Sequence, residues 1–93
     1  MKAEPLKKSI YDKAMQLGIQ TIDLRFSGGH DEGILEIEVY TSEHQEQLEE
    51  EIKDWAWKAY EYSGAGEGYD FGDNISYDLE QGQVYATEWK MVV

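Results

Sequence analysis

Ninety-three residues, no cysteine and a formal charge of −12 exclude several function classes at once. Disulfide frameworks, thiolate metal sites and cysteine nucleophiles are ruled out, and a charge of this sign repels nucleic acid and anionic membranes. The length fits one domain, residues 1–93, with a modest core and a stability of about 5–10 kcal/mol, and 13% aromatic residues argue against disorder.

Residues 4–17 are expected to form the first helix, because Leu6, Ile10, Ala14 and Leu17 recur at helical spacing. Pro5 suits its first turn, Gly18 is placed to end it, and Lys7, Lys8 and Lys13 face water. Residues 20–26 switch to period two, with Ile22, Leu24 and Phe26 alternating against Thr21, Asp23 and Arg25. The stretch Ser27-Gly28-Gly29-His30-Asp31-Glu32-Gly33 is turn chemistry. Residues 34–40 alternate again, Leu35, Ile37 and Val39 against Glu36, Glu38 and Tyr40. Two such strands joined by a short glycine-rich loop predict a hairpin.

Thr41-Ser42 opens a second helix, with Ser42 and Gln45 at capping-box spacing and Glu43 and Glu46 where the helix dipole favours negative charge. Its apolar stripe is Leu48, Ile52, Trp55, Ala56 and Ala59. Glu49–Lys53 and Asp54–Lys58 are favourable i,i+4 pairs, whereas Glu46–Glu50 and Glu50–Asp54 repel. Trp57 lies about 200° round the helix from Trp55. Both indoles are therefore not expected on the same core: Trp57 is either half-covered by the following loop or an anchor for a partner. The helix should stop near Tyr62-Ser63-Gly64.

Residues 63–74 are the longest irregular stretch. Ile75, Tyr77 and Leu79 then mark a third strand, Glu80-Gln81-Gly82-Gln83 a turn, and residues 84–92 a fourth strand with apolar side chains on both faces. The order αββαββ predicts an α+β fold, a four-stranded antiparallel sheet with two helices packed on one face.

Charge is divided unequally along this order. Residues 1–25 hold five basic and three acidic side chains, a balance of +2, and residues 26–93 hold three basic and seventeen acidic ones, a balance of −14. If the apolar alternates face the helices, Asp23, Arg25, Glu36, Glu38, Tyr40, Ser76 and Asp78 share the outer sheet face. The outward side of the second helix adds Glu43, Glu46, Glu50, Asp54 and Glu61. Two readings are open: a solvated face that keeps the protein in solution, or a surface that imitates a phosphate array and docks on basic protein.

Other chemistry finds less support. His30 beside Asp31 and Glu32 would need His44, Asp70 or Asp73 to hold a metal, and no spacing matches a calcium loop. Gly64-Ala65-Gly66-Glu67-Gly68 follows a helix, not a strand, and has acids where a phosphate cradle needs bases. Tyr60, Tyr62, Tyr69 and Phe71 lack the basic groove of a base-stacking platform. They suit the core end of the second helix or a protein interface. Neighbouring carboxylates on an exposed face lack the cleft and the unequal environments of acid–base catalysis. No catalytic residue, cofactor or metal is expected.

Several stretches carry a resemblance. Phe26-Ser27-Gly28-Gly29-His30-Asp31-Glu32-Gly33 is similar to a Gly-Gly-x-Asp-x-Gly hairpin. It is accompanied by an acidic helix holding Trp55, a loop ending Gly72-Asp73-Asn74 and the strand Ile75-Ser76-Tyr77-Asp78. Over about residues 21–90 the chain resembles a family of small acidic bacterial and phage proteins without an established activity. The resemblance implies a phage or mobile-element setting, in which such proteins block host defence, and so the host cytoplasm.

The expectation is a non-enzymatic, cytoplasmic inhibitor of anti-CRISPR or anti-restriction type, a nucleic-acid mimic that occupies a basic protein surface. Glu36, Glu38, Glu46, Glu50 and Asp54 would supply charge, and Trp57 and Tyr69 would anchor. It would contact neither nucleic acid nor membrane directly. A homodimeric accessory domain, using Tyr85, Trp89 and Met91 or the outer sheet face, is the alternative, and a small-ligand or calcium module on the two Gly/Asp loops is the third reading.

Overall fold

The structure is a computed structural model that describes residues 2–28, 33–41, 45–62 and 71–90. Helix α1 (Lys8–Gln16) leads into β1 (Thr21–Gly28) and β2 (Ile34–Val39). Helix α2 (Glu46–Tyr60) then leads into β3 (Phe71–Asp78) and β4 (Gln83–Lys90). The fold is α+β, and the four strands form one antiparallel sheet in the order β2-β1-β3-β4. Because β1 runs antiparallel to both of its neighbours, β2 and β3 are parallel, and the chain between them must cross the sheet. Helix α2 makes that crossing and covers the inner face.

Strand alternation decides what is inside. Ile22, Leu24 and Phe26 of β1, Leu35 of β2, and Ile75 and Tyr77 of β3 are buried against Ile10 and Ala14 of α1 and Leu48, Ile52 and Ala56 of α2. Each fully buried Ile, Leu or Phe contributes roughly 1.5–3 kcal/mol. Ile37 and Val39 pack at the margin of this core. None of the described helices is long and apolar enough to cross a membrane.

Helix α1 is shorter than its apolar spacing predicts. Residues 4–7 stay outside it, because two tyrosines hold Glu4 by its backbone. Glu4 N–H donates to the Tyr60 hydroxyl (3.0 Å), Tyr60 hydrogen-bonds to the Tyr77 hydroxyl, and Tyr77 donates to the Glu4 carbonyl (2.7 Å). This closed ring of donors ties the N-terminal segment to α2 and β3. Gly18 takes φ +73°, the left-handed conformation expected after the helix.

Helix α2 also starts later than expected. Gln45 is its N-cap and makes no side-chain capping bond, and Ser42 lies outside the described residues. At its other end the chain reverses at Glu61, a non-glycine in the left-handed region (φ 48°), earlier than Gly64. The two indoles, expected to part company, both pack inward. Ala56 faces the sheet, so Trp55 and Trp57 flank it about 100° to either side. Trp55 meets Tyr60 and Tyr77, and Trp57 meets the Phe26 ring edge-on at 5.7 Å.

The largest departure is in β3. It begins at Phe71, so Gly72-Asp73-Asn74 is strand and not loop. Gly72 is required there: a Cβ would lie 2.3 Å from the Phe26 carbonyl oxygen and 2.6 Å from the Trp89 ring across the strand pair. Gly72→Ala is therefore expected to destabilise the protein by about 1–3 kcal/mol, read as a lower urea midpoint. An unchanged midpoint would show that the strands do not approach so closely.

Burial, then the Tyr60 hydrogen bond, raise the Tyr77 hydroxyl far above its usual range. A raised folded-state value means that its contribution to stability is complete below the unfolded value, about 10, and is lost as pH rises beyond it. Tyr77→Phe should be less stable than wild type by about 1 kcal/mol near neutrality. The gap should narrow in urea titrations repeated at rising alkaline pH, and a gap that widens would contradict the assignment.

Candidate acidic interface

The outer sheet face is built in rungs across four strands. One rung reads Glu38, Asp23, Ser76 and Tyr85, and the next reads Glu36, Arg25, Asn74 and Thr87. Asp23 and Glu38 thus stand directly opposite one another, an arrangement that destabilises a strand pair unless donors intervene. Two hydroxyls do so. Ser76 Oγ donates to Asp23 Oδ1 (2.6 Å), and Tyr40 donates to Glu38 Oε2 (2.8 Å). Hydrogen bonding to Glu38, then to Asp23, pushes the exposed Tyr40 hydroxyl up to about 12. Asp23, Arg25, Glu36, Ile37 and Glu38 surround a shallow depression of about 70 Å³. Asp78 lies at the sheet's end on the same face, where its Oδ1 accepts from Gln81 N–H (3.1 Å) in the following turn.

The second acidic surface is on α2. Glu46, Glu50 and Asp54 are exposed and lie four residues apart, about 6 Å per step along the helix. Among the described residues none of the three carboxylates makes a hydrogen bond or ion pair, and the expected Asp54–Lys58 pair is not closed. Lys13 of α1 reaches across to Glu51 instead (3.2 Å) and ties the helices together. Trp57 follows Asp54 by three residues and Glu50 by seven, so it continues the same side of the helix. It is half-buried, stacked on Tyr62 at 6.4 Å.

The five expected charge residues therefore fall into two groups. Glu36 and Glu38 sit on the outer sheet face, and Glu46, Glu50 and Asp54 sit on the helix layer that covers the opposite face. The fold does not bring them into one patch. Tyr69, His30, His44, Asp70, Met91 and most of both Gly/Asp loops lie outside the described residues. Among the described residues no group of three or more His, Asp or Glu side chains could hold a metal.

One polar feature escaped the sequence reading. Asp73 is 8% exposed on the inner face, in the rung between Phe26 and Glu88. Burial, then the Asp73 carboxylate, raise the Tyr62 hydroxyl above its ordinary value. The signal was available: Phe71, Asp73, Ile75 and Tyr77 keep period two, with an acid at an inward position.

Compared with known protein families, curated proteins and solved structures, the chain matches none.

Tyr40 supplies a direct check of the outer face. In an ultraviolet titration one tyrosine should ionise near pH 12. Tyr40→Phe should remove that step, and Glu38→Gln should bring it down. Tyr62 and Tyr77 are raised as well and keep their own late ionisation, so the decisive quantity is the amplitude that Tyr40→Phe removes. Amplitude lost near the ordinary tyrosine value of about 10 would show that the hydroxyl does not bridge the acids.

Proposed function

We propose that the protein acts by stoichiometric binding, its carboxylates occupying a Lys/Arg-lined surface of a nucleic-acid-binding protein. The observation that carries this reading is the ridge Glu46–Glu50–Asp54: three exposed acids in line, without partners among the described residues, in a chain of net charge −12. Two i,i+4 repulsions along it work against the helix, and a cationic partner would convert that cost into attraction. Glu36 and Glu38 would extend the field from the sheet face and speed encounter. Trp57, half-buried at the end of the ridge, is the anchor proposed beside the charges, with Tyr69 as a second. In a phage or mobile-element setting this is the action of an anti-CRISPR or anti-restriction inhibitor in the host cytoplasm, with no catalytic step.

The test is capture from a nuclease-treated bacterial lysate. Immobilised protein should retain nucleic-acid-binding proteins, releasing them as salt shortens the Debye length from about 10 Å at 0.1 M to about 3 Å at 1 M, and on addition of competing DNA. Glu46→Lys/Glu50→Lys/Asp54→Lys should abolish retention, while shortening residues 63–70 should change it less. Capture that resists salt and survives the charge reversal would refute the reading.

A further inference from the structure

Strand β4 is an edge of the sheet, and two of its residues, Val84 and Ala86, turn backbone groups outward that meet no partner among the described residues. The hydrogen-bonding direction follows from one contact: Tyr40 N–H donates to the Thr21 carbonyl, so the odd residues of β1 bond to β2. Alternation then sends even residues of β1 to β3, even residues of β3 to β4, and odd residues of β4 back to β3. The Leu79 N–H to Gln20 carbonyl bond (2.9 Å) agrees with that assignment. The backbone N–H and C=O groups of Val84, Ala86 and Glu88 therefore point away from the sheet. Those of Val84 and Ala86 find no partner among the described residues.

Natural edges are usually blunted by prolines, bulges, short length or central lysines. β4 uses none of these. It is eight residues long, its register with β3 runs unbroken from Gln83 to Lys90, and its basic residue stands at the end. Residues 85–88 are exposed, the Tyr85 side chain at 52%. The other edge, β2, is six residues long and carries Glu36 and Glu38.

We infer that β4 receives an extended, basic segment of the partner as a fifth strand, a contact that rests on the cationic partner proposed above. Charge selects this occupant over a second copy of the chain. A copy brings another −12 against −12, and the β3–β4 segment, residues 71–90, holds four acids and one base. Main-chain bonds to Val84 and Ala86 supply affinity that is blind to sequence, and side-chain alternation supplies selection. Residues of the incoming strand opposite Val84 and Ala86 share the inner face, where Ala86 is small and exposed and leaves room for long basic side chains. Those opposite Tyr85 and Thr87 lie on the outer face, where β-branched or aromatic side chains pair well.

The probe is the peptide Lys-Val-Lys-Thr-Lys-Val-Lys, with a glutamate-for-lysine version and a fully N-methylated version as controls. On binding, the lysine peptide should slow hydrogen exchange at the Val84 and Ala86 amides. Full N-methylation should weaken binding roughly tenfold or more, as should Ala86→Pro, which deletes an outward N–H of a kind edge strands can forgo. The N-methylated peptide tests the wild-type chain, so the claim stays open to refutation even if Ala86→Pro unfolds. If all lysine peptides bind alike, with those amides unprotected but with salt weakening each, the fifth-strand contact is wrong and the cationic partner stands. If the glutamate peptide binds as well as the lysine one, or salt has no effect, the cationic reading fails too. A concentration-dependent dimer that Ala86→Pro dissolves would put a second copy on the strand and overturn the assignment.

Discussion

Strand β1 is bonded along both edges and covered on one face, and the rest of the molecule is arranged around it. Ile22, Leu24 and Phe26 are each no more than 1% exposed, so a slip of one residue would drive Asp23 and Arg25 into the core. That constraint fixes β2 and β3 on either side. It also fixes the side of the sheet on which both helices must lie. The same alternation that buries three apolar side chains places Asp23 opposite Glu38 in water. The acidic outer face is therefore a direct product of the core, and its repulsion is moderated locally by the Ser76 and Tyr40 hydroxyls.

The architecture was legible because every element but β4, whose apolar side chains fall on both faces, carries a clean period. Leu35, Ile37 and Val39 against Glu36 and Glu38 can only be a half-buried strand, and Leu48, Ile52 and Ala56 can only be one helical stripe. What could not be read came from long-range contacts. The Glu4 backbone is held by tyrosines 56 and 73 positions away, which removes Pro5 from the helix that its local signal suggests. Gly72-Asp73-Asn74 has turn composition, yet pairing with β1 and β4 on both sides makes it strand. Trp57 is half-buried, as one of its two expected readings had it, but it packs on the same core as Trp55, because an angular wheel ignores the reach of an indole beside a small residue, here Ala56.

Glu36, Glu38, Glu46, Glu50 and Asp54 were individually predictable as exposed, but their grouping was not. Composition cannot say that Glu36 and Glu38 sit on one layer and Glu46, Glu50 and Asp54 on another. This division gives the two surfaces separate consequences. The sheet face is compensated by its own hydroxyl donors, whereas the helix ridge has no such partners among the described residues. A functional contact is best sought where charge is left uncompensated, and α2 meets that condition.

Under the proposed function, this ridge is kept at a cost to the free protein because a cation relieves it in the complex. The stability of Glu50→Gln/Asp54→Asn at low salt tests the claim most directly, since these positions lie beyond the first turn and its dipole. Neutralisation should raise the melting temperature of the free protein, with the advantage over wild type shrinking as salt is added. A variant that melts lower than wild type, or at the same temperature at every salt concentration, would mean that the acids carry no uncompensated repulsion, and the claim would fall.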